Sequence, residues 1–117
     1  MKIAHISDLH ITAEGPTFGV AFMAENLAKV VAHINGLKPD LVLITGDIAN
    51  NAEPAETARA AKLLARLQAP FYLTPGNHDD RAALQAAFPV AALPAVEPSH
   101  LSYVIEAGSL RLIALDS

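Results

Sequence analysis

Three short apolar runs in the sequence are each followed at once by residues that could bind a metal ion. Asp8 and His10 follow the first run, and Asp47 follows the second. Asn77 and His78 follow the third, inside the stretch "LTPGNHDD". Carboxylate, imidazole and carboxamide groups form a mixed oxygen and nitrogen donor set, which suits iron, manganese, zinc or cobalt rather than copper(I). These residue types therefore indicate metal chemistry.

The three runs have the character of buried parallel strands. They are "KIAHIS" at 2–7, "DLVLIT" at 40–45 and "PFYLT" at 70–74. Near-continuous β-branched and apolar residues are typical of strands that are buried on both faces. The carboxyl ends of parallel strands lie at one edge of a sheet, where ligands bind. We therefore expect the polar residues that follow the strands to meet at that edge.

Two amphipathic helices are predicted between the runs. The first carries an apolar stripe over 27–34 and is predicted to end with Gly36 as its C-cap, before a proline. The second carries a stripe over 60–67, with Pro54 in its first turn and Glu56 near the positive end of its dipole. The order is β-α-β-α-β, and right-handed crossovers would give one parallel sheet.

A short helix and a hairpin are predicted in the remainder of the chain. "DRAALQAAF" predicts a helix with Asp80 as its N-cap, and Asp79 is assigned to the same helix start. A proline-rich connector then leads to "HLSYVIEAGSLRLIALDS", which predicts a β-hairpin that turns at Gly108. The predicted class is α/β, a βαβαβ unit that ends in a hairpin.

The blocks "DLH", "GDIAN" and "GNHDD", in this order and each at a strand end, resemble the first three blocks of the calcineurin-like metallophosphoesterases. "KIAHISDLH" and "PFYLTPGNHDD" are most similar to the branch of class III cyclic-nucleotide phosphodiesterases and glycerophosphodiesterases. The resemblance implies a four-layer α/β/β/α sandwich. We expect residues 1–117 to be the N-terminal part of a single such domain, with its C-terminal half missing.

The resemblance also implies a role for each polar residue. Asp8 and His10 would bind the first of two metal ions, Asp47 would bridge both ions, and Asn77 would bind the second. His78 would be a catalytic group beside the phosphoryl oxygen or leaving group, as proton donor or charge stabiliser, and with Asn77 would contact the substrate. A metal-bound hydroxide would attack a phosphodiester, either a 3′,5′-cyclic nucleotide or a glycerophosphodiester.

The chain departs from the family pattern in its histidines. Members of this branch supply three further histidine ligands, two of them in a late Gly-His-X-His block, and none of the five histidines here lies in such a block. We therefore expect both ions to have too few protein ligands, the second ion most severely, and this chain alone to be inactive or impaired. The cut edge and sheet face would expose apolar surface, which favours self-association into a homo-oligomer.

Composition excludes several classes of protein and site. The net charge of −4 argues against a nucleic acid polymer as partner. Absence of cysteine excludes disulfides and thiolate metal sites. No apolar run approaches the roughly 20 residues of a membrane span, and "MKIAHISDLH" lacks the apolar core of a signal peptide. A cytoplasmic location is the default expectation, with no membrane partner.

Each block alone has a simpler interpretation. Asp8, His10 and Asp47 could form turns or caps, Asn77 could be a left-handed turn residue, and His78 could bind only backbone. A second function also fits the family: a non-catalytic scaffold of this fold that binds a protein. A dinucleotide-binding domain is excluded, because no G-x-G-x-x-G follows "KIAHIS".

Overall fold

Five strands and three helices make up the described part of the chain, residues 1–14, 22–95 and 97–117 of a computed structural model. In chain order they are β1 (Ile3–Ile6), α1 (Met23–Leu37), β2 (Leu41–Thr45), α2 (Pro54–Leu64), β3 (Phe71–Thr74), α3 (Arg81–Ala87), β4 (Tyr103–Ala107) and β5 (Leu110–Ala114). The predicted α/β class, the β-α-β-α-β order and the terminal hairpin are confirmed.

The first three strands form one parallel sheet with β2 in the centre. Ile3 of β1 pairs with Leu41 of β2, and Val42 of β2 pairs with Phe71 of β3. All three strands therefore run in the same direction, and their carboxyl ends lie at one edge of the sheet. The loops that carry the candidate ligands leave the sheet at this edge.

The core joins the two crossover helices to the sheet. Leu27 and Ile34 of α1 and Leu64 of α2 are buried in one hydrophobic cluster with Ile44 of β2 and Leu73 of β3. The apolar stripes at helical spacing predicted this packing. Burial of these side chains fixes the helices against the sheet and thereby fixes the loops at its ends.

The observed ends of the crossover helices agree with those predicted from the sequence, with one exception. α2 begins at Pro54, as predicted. α1 continues through Gly36 and ends at Leu37, and its C-cap is Lys38, which has a left-handed φ of 48° and donates its N–H to the Asn35 carbonyl at 3.3 Å. The prediction that Gly36 is the C-cap was wrong. Lys38 precedes Pro39, and a residue before proline is disfavoured in the right-handed helical conformation.

The hairpin of β4 and β5 turns at Gly108, which has a φ of 62°. Tyr103 at the start of β4 is buried, and its hydroxyl donates to the Leu73 carbonyl of β3 at 2.6 Å. This bond connects the hairpin to the parallel sheet across 30 positions of sequence. The hairpin is therefore a packed part of the fold and not an independent extension.

A second long-range contact connects α3 to the end of the chain. Arg81 donates to both carboxylate oxygens of Asp116, at 2.7 and 2.6 Å, and Leu101 donates its N–H to the same carboxylate at 2.8 Å. The Asp116 side chain is 1% exposed. The hydrogen bonds from Arg81 hold the pKa of Asp116 below its ordinary value, so this carboxylate stays charged and paired.

Apolar side chains remain exposed on the outer side of the hairpin. Val104, Ile113 and Leu115 are 53%, 65% and 73% exposed. Self-association through such a surface stays a prediction. None of the helices in the described part of the chain is long and apolar enough to cross a membrane.

The Tyr103 hydroxyl gives a pH-dependent test of the hairpin contact. Burial raises the pKa of Tyr103 from 10.0 to about 12. The folded state therefore keeps the proton more tightly than the unfolded state, and the stability this provides is present below pH 10 and lost as the pH rises through about 12. At pH 8 we expect Tyr103→Phe to lower the free energy of unfolding by about 1 kcal/mol.

Urea unfolding of both proteins at pH 8 and pH 11 measures this effect. The difference between wild type and Tyr103→Phe should shrink at the higher pH, because only the wild type carries the titrating phenol. A difference that is the same at both pH values would contradict the hydrogen-bonded, buried placement of Tyr103.

Candidate metal centre

The loops that follow β1 and β2 lie side by side at the carboxyl edge of the sheet. Asp8 donates its N–H to the Gly46 carbonyl at 3.1 Å, and His10 donates its N–H to the Asp47 carbonyl at 2.9 Å. These bonds continue the pairing of the two strands beyond their last residues. Two segments whose bonded residues are 37 and 38 positions apart in the sequence are thus held in register.

Three of the candidate ligands have a left-handed backbone. The φ angles are 55° at Asp8, 43° at His10 and 52° at Asp47. Residues other than glycine adopt this conformation uncommonly, and such residues cluster at functional sites. Along an ordinary extended strand, side chains would alternate between the two faces. The left-handed turns break that alternation at the strand ends.

The side chains of these three residues converge. One potential ligand atom from each of Asp8, His10 and Asp47 lies within 4.8 Å of the other two. His10 Nε2 and Asp47 Oδ2 are 3.8 Å apart, too far for a hydrogen bond. Metal–nitrogen and metal–oxygen bonds are about 2.0–2.2 Å long, so small side-chain movements would allow one cation to contact all three residues.

The His10 ring has one buried nitrogen without a partner. Its Nδ1 atom is buried and has no hydrogen-bond partner among residues 1–14, 22–95 and 97–117, which is costly. The ring nitrogen that lies 3.8 Å from Asp47 Oδ2 is Nε2, and this is the atom placed to bind a cation together with Asp47. With neutral imidazole and two carboxylates as donors, the group has the chemistry of an iron, manganese, zinc or cobalt site.

Asp47 also contacts the loop after β3. Its Oδ1 atom accepts the backbone N–H of His78 at 3.1 Å. Gly76 lies against the same aspartate, because a Cβ at this glycine would be 2.2 Å from Asp47 Oδ1 and 2.4 Å from the Asp47 nitrogen. Only a residue without a side chain fits at this position, so Asp47 lies at the junction of all three loops.

Asn77 and His78 are exposed at the tip of the third loop. His78 Nδ1 lies 2.6 Å from the Asn50 carbonyl oxygen, and the ring is edge-on to the His10 ring with centroids 4.9 Å apart. Asn77 is flanked by two residues, Gly76 and His78, that both contact Asp47. The structure thus places all five residues that follow the strands at one edge.

Glu56 supports the loop in a way that the sequence did not indicate. It is 1% exposed and accepts the N–H groups of Asn50 and Asn51, at 3.1 and 2.7 Å, and the Asn51 side-chain amide at 3.0 Å. Glu53 and Glu56 also form a reciprocal capping box. The predicted dipole interaction was therefore incomplete, because the carboxylate turns back onto the preceding loop.

The assignment of Asp79 to the start of α3 was wrong. Asp80 alone caps this helix, by accepting the Ala83 N–H at 2.7 Å. Asp79 is 8% exposed and instead accepts the N–H groups of Ile48 and Ala49, in the loop after β2. Adjacent aspartates before a helix look alike in sequence, and only the tertiary contact distinguishes them.

Comparison with known proteins agrees with this geometry. The family model of the calcineurin-like phosphoesterases matches residues 1–111. The chain belongs to this family. The resemblance drawn from the three sequence blocks is thereby confirmed, and the parallel sheet with its following hairpin is consistent with half of a metallophosphoesterase fold.

Curated relatives of this calcineurin-like phosphoesterase are phosphodiesterases by name. The chain is 36% identical, over its whole length, to the glycerophosphodiester phosphodiesterase GpdQ of Enterobacter lignolyticus, and spans 44% of that protein. It is 34% identical, over 98% of its length, to a cAMP/cGMP dual specificity phosphodiesterase of Mycobacterium tuberculosis, and spans 37% of it. It is 32% identical to the 3′,5′-cyclic adenosine monophosphate phosphodiesterase CpdA of Pseudomonas aeruginosa, over 98% of its own length and 41% of that protein. The chain thus spans less than half of each relative.

Gly76→Ala tests the contact between the third loop and Asp47. The added Cβ would overlap Asp47 Oδ1 and the Asp47 nitrogen, so the aspartate or the loop must move. We expect manganese affinity, measured by isothermal titration calorimetry, to fall at least about tenfold. Gly36→Ala is the matched control, because nothing lies within 4 Å of its added Cβ. Equal manganese affinity in the two variants would contradict this geometry.

Proposed function

We propose that the protein is a metal-dependent phosphodiesterase of the calcineurin-like family and that this chain supplies one half of its active site. The observation that carries the proposal is the convergence of Asp8, His10 and Asp47 at the carboxyl edge of the sheet. Their left-handed backbones, the approach of His10 Nε2 to Asp47 and the mixed donor set all support a cation at this point. The names of the relatives support a phosphodiester as substrate.

The proposed centre would hold two cations. Asp8 and His10 would bind the first, Asn77 would bind the second, and Asp47 would contact both. The two oxygens of Asp47 support this division, because Oδ2 faces His10 and Oδ1 faces the loop that carries Asn77. In this proposal the remaining ligands come from outside residues 1–117, the N-terminal part of the domain.

The cations would be iron, manganese, zinc or cobalt. At such a centre they supply Lewis-acid stabilisation of the phosphoryl charge and an activated water as nucleophile. The residues of this chain orient that centre: the paired loops hold Asp8 and His10 beside Asp47, and Gly76 allows the third loop to approach. Water attack on phosphorus needs no covalent intermediate with the protein.

His78 is the proposed catalytic group. A carbonyl oxygen can only accept, so the contact with Asn50 requires the proton on Nδ1. Nε2 is then the ring nitrogen available to a substrate, and when it carries a proton as well, the imidazolium can stabilise charge on a phosphoryl oxygen or protonate the leaving group. Asn77, next to His78 on the same exposed loop, is proposed to contact the substrate as well as the second cation.

The substrate is proposed to be a small phosphodiester, a 3′,5′-cyclic nucleotide or a glycerophosphodiester, because relatives of both kinds are similar to this chain. A nucleic acid polymer would need a surplus of basic residues, and the net charge is −4. A cytoplasmic location stays a prediction.

Manganese titration tests the centre directly. We expect the wild-type chain to bind manganese, Asp47→Ala to lose binding, and Asn77→Ala to lose the second cation. Asp40→Ala is the matched control, because Asp40 is an exposed carboxylate directly before β2, at the opposite end of the same strand. Loss of binding in Asp40→Ala equal to that in Asp47→Ala would count against a defined site.

Activity is tested on the longest natural chain that carries this segment. With manganese and bis(p-nitrophenyl) phosphate we expect turnover in the wild type and none above background in Asp47→Ala or Asn77→Ala. Retained turnover in both variants would refute the assignment of the centre. Absence of both manganese binding and turnover in the wild type would favour the scaffold function.

A further inference from the structure

Asp79 is a buried residue whose carboxylate accepts hydrogen bonds from two loops of the site. The carboxylate is 8% exposed and accepts three backbone N–H groups, from Ile48 at 3.2 Å, Ala49 at 2.8 Å and Gly76 at 2.8 Å. Its own N–H donates to the Gly76 carbonyl at 3.3 Å. No substrate or metal role falls to this residue in the proposed function.

The three donors lie next to two of the proposed metal ligands, Asp47 and Asn77. Ile48 and Ala49 directly follow Asp47 in the loop after β2, and Gly76 directly precedes Asn77 in the loop after β3. One carboxylate therefore binds both loops at once. The left-handed backbone of Asp47 is a conformation that persists only where surrounding contacts impose it.

We propose that Asp79 is a positioning residue of the metal centre, which fixes the separation of Asp47 and Asn77 by holding their loops together. This inference rests on the proposed function, because it assumes that the two residues bind cations. Mutation of a residue that orients metal ligands by hydrogen bonding, without binding the metal itself, typically lowers metal affinity about 10- to 100-fold.

Replacement by asparagine isolates the hydrogen bonds from the packing. Oδ1 accepts from Ala49, and Oδ2 accepts from both Ile48 and Gly76. A carboxamide has nearly the same shape but only one oxygen, so its NH₂ group must face a backbone N–H in either orientation. Asp79→Asn therefore removes either the acceptor of the Ala49 N–H or the acceptor of the Ile48 and Gly76 N–H groups, without opening a cavity.

Asp80 offers a matched control one position along the chain. It is exposed, and its side chain accepts one backbone N–H, that of Ala83 in α3. Asp80→Ala removes this helix cap and lowers stability, but it leaves the hydrogen bonds between the metal loops in place. A variant that only loses stability is thus available for comparison.

Two quantities are measured for wild type, Asp79→Asn and Asp80→Ala: manganese affinity by isothermal titration calorimetry, and the melting temperature without metal by circular dichroism. We expect both variants to melt below the wild type. We expect manganese affinity to fall about tenfold or more in Asp79→Asn and to be unchanged in Asp80→Ala. Wild-type affinity in a folded Asp79→Asn would show that Asp79 only stabilises the fold, and would overturn the inference.

A second variant covers the case in which Asp79→Asn does not fold. Asp79→Glu keeps both carboxylate oxygens but displaces them by one methylene, so we expect a folded chain with weakened manganese affinity. Wild-type affinity in Asp79→Glu would overturn the inference in that case. Failure of the wild-type chain itself to bind manganese would overturn the proposed centre and the inference with it, whereas failure of the inference alone leaves wild-type binding intact.

Discussion

The left-handed backbone of Asp8, His10 and Asp47 is the constraint on which the candidate centre depends. Each such residue costs about 1–3 kcal/mol and persists only when its surroundings determine it. Here each of the two loops forms part of the surroundings of the other, because Asp8 and His10 donate their N–H groups to the carbonyls of Gly46 and Asp47. Neither loop can therefore adopt its conformation without the other. The pairing of β1 with β2 brings the two strand ends together.

Two buried carboxylates complete the hydrogen bonding of the loop after β2. Asp79 accepts from residues 48 and 49, and Glu56 accepts from residues 50 and 51, so four consecutive N–H groups have carboxylate acceptors. Buried N–H groups without partners would be costly, so these hydrogen bonds stabilise the observed conformation of residues 48–51.

The sequence predicts the elements better than it predicts the contacts between them. Strands, helices and the convergence of Asp8, His10 and Asp47 follow from local patterns and from the direction of parallel strands. The roles of Asp79 and Glu56 do not, because an acidic residue near a helix start has the same local sequence whether it caps the helix or turns away. The partners of Asp79 lie about 30 positions earlier in the chain, and Arg81 pairs 35 positions ahead. The end of α1 did have a local signal in the sequence. Pro39 disfavours a right-handed helical conformation at Lys38, and this proline, not Gly36, determines where the helix ends.

The peptide group between Asn50 and Asn51 connects α2 to the proposed catalytic histidine. Its N–H donates to Glu56 at 2.7 Å, and its carbonyl accepts from His78 Nδ1 at 2.6 Å. Hydrogen bonds at the two ends of one peptide group polarise it in the same direction, which strengthens both. The orientation of the imidazole is therefore set by backbone that the first turn of α2 holds in place. The position of the Asn50 carbonyl in the main chain therefore determines which ring nitrogen of His78 is left for a substrate, and the Asn50 side chain does not.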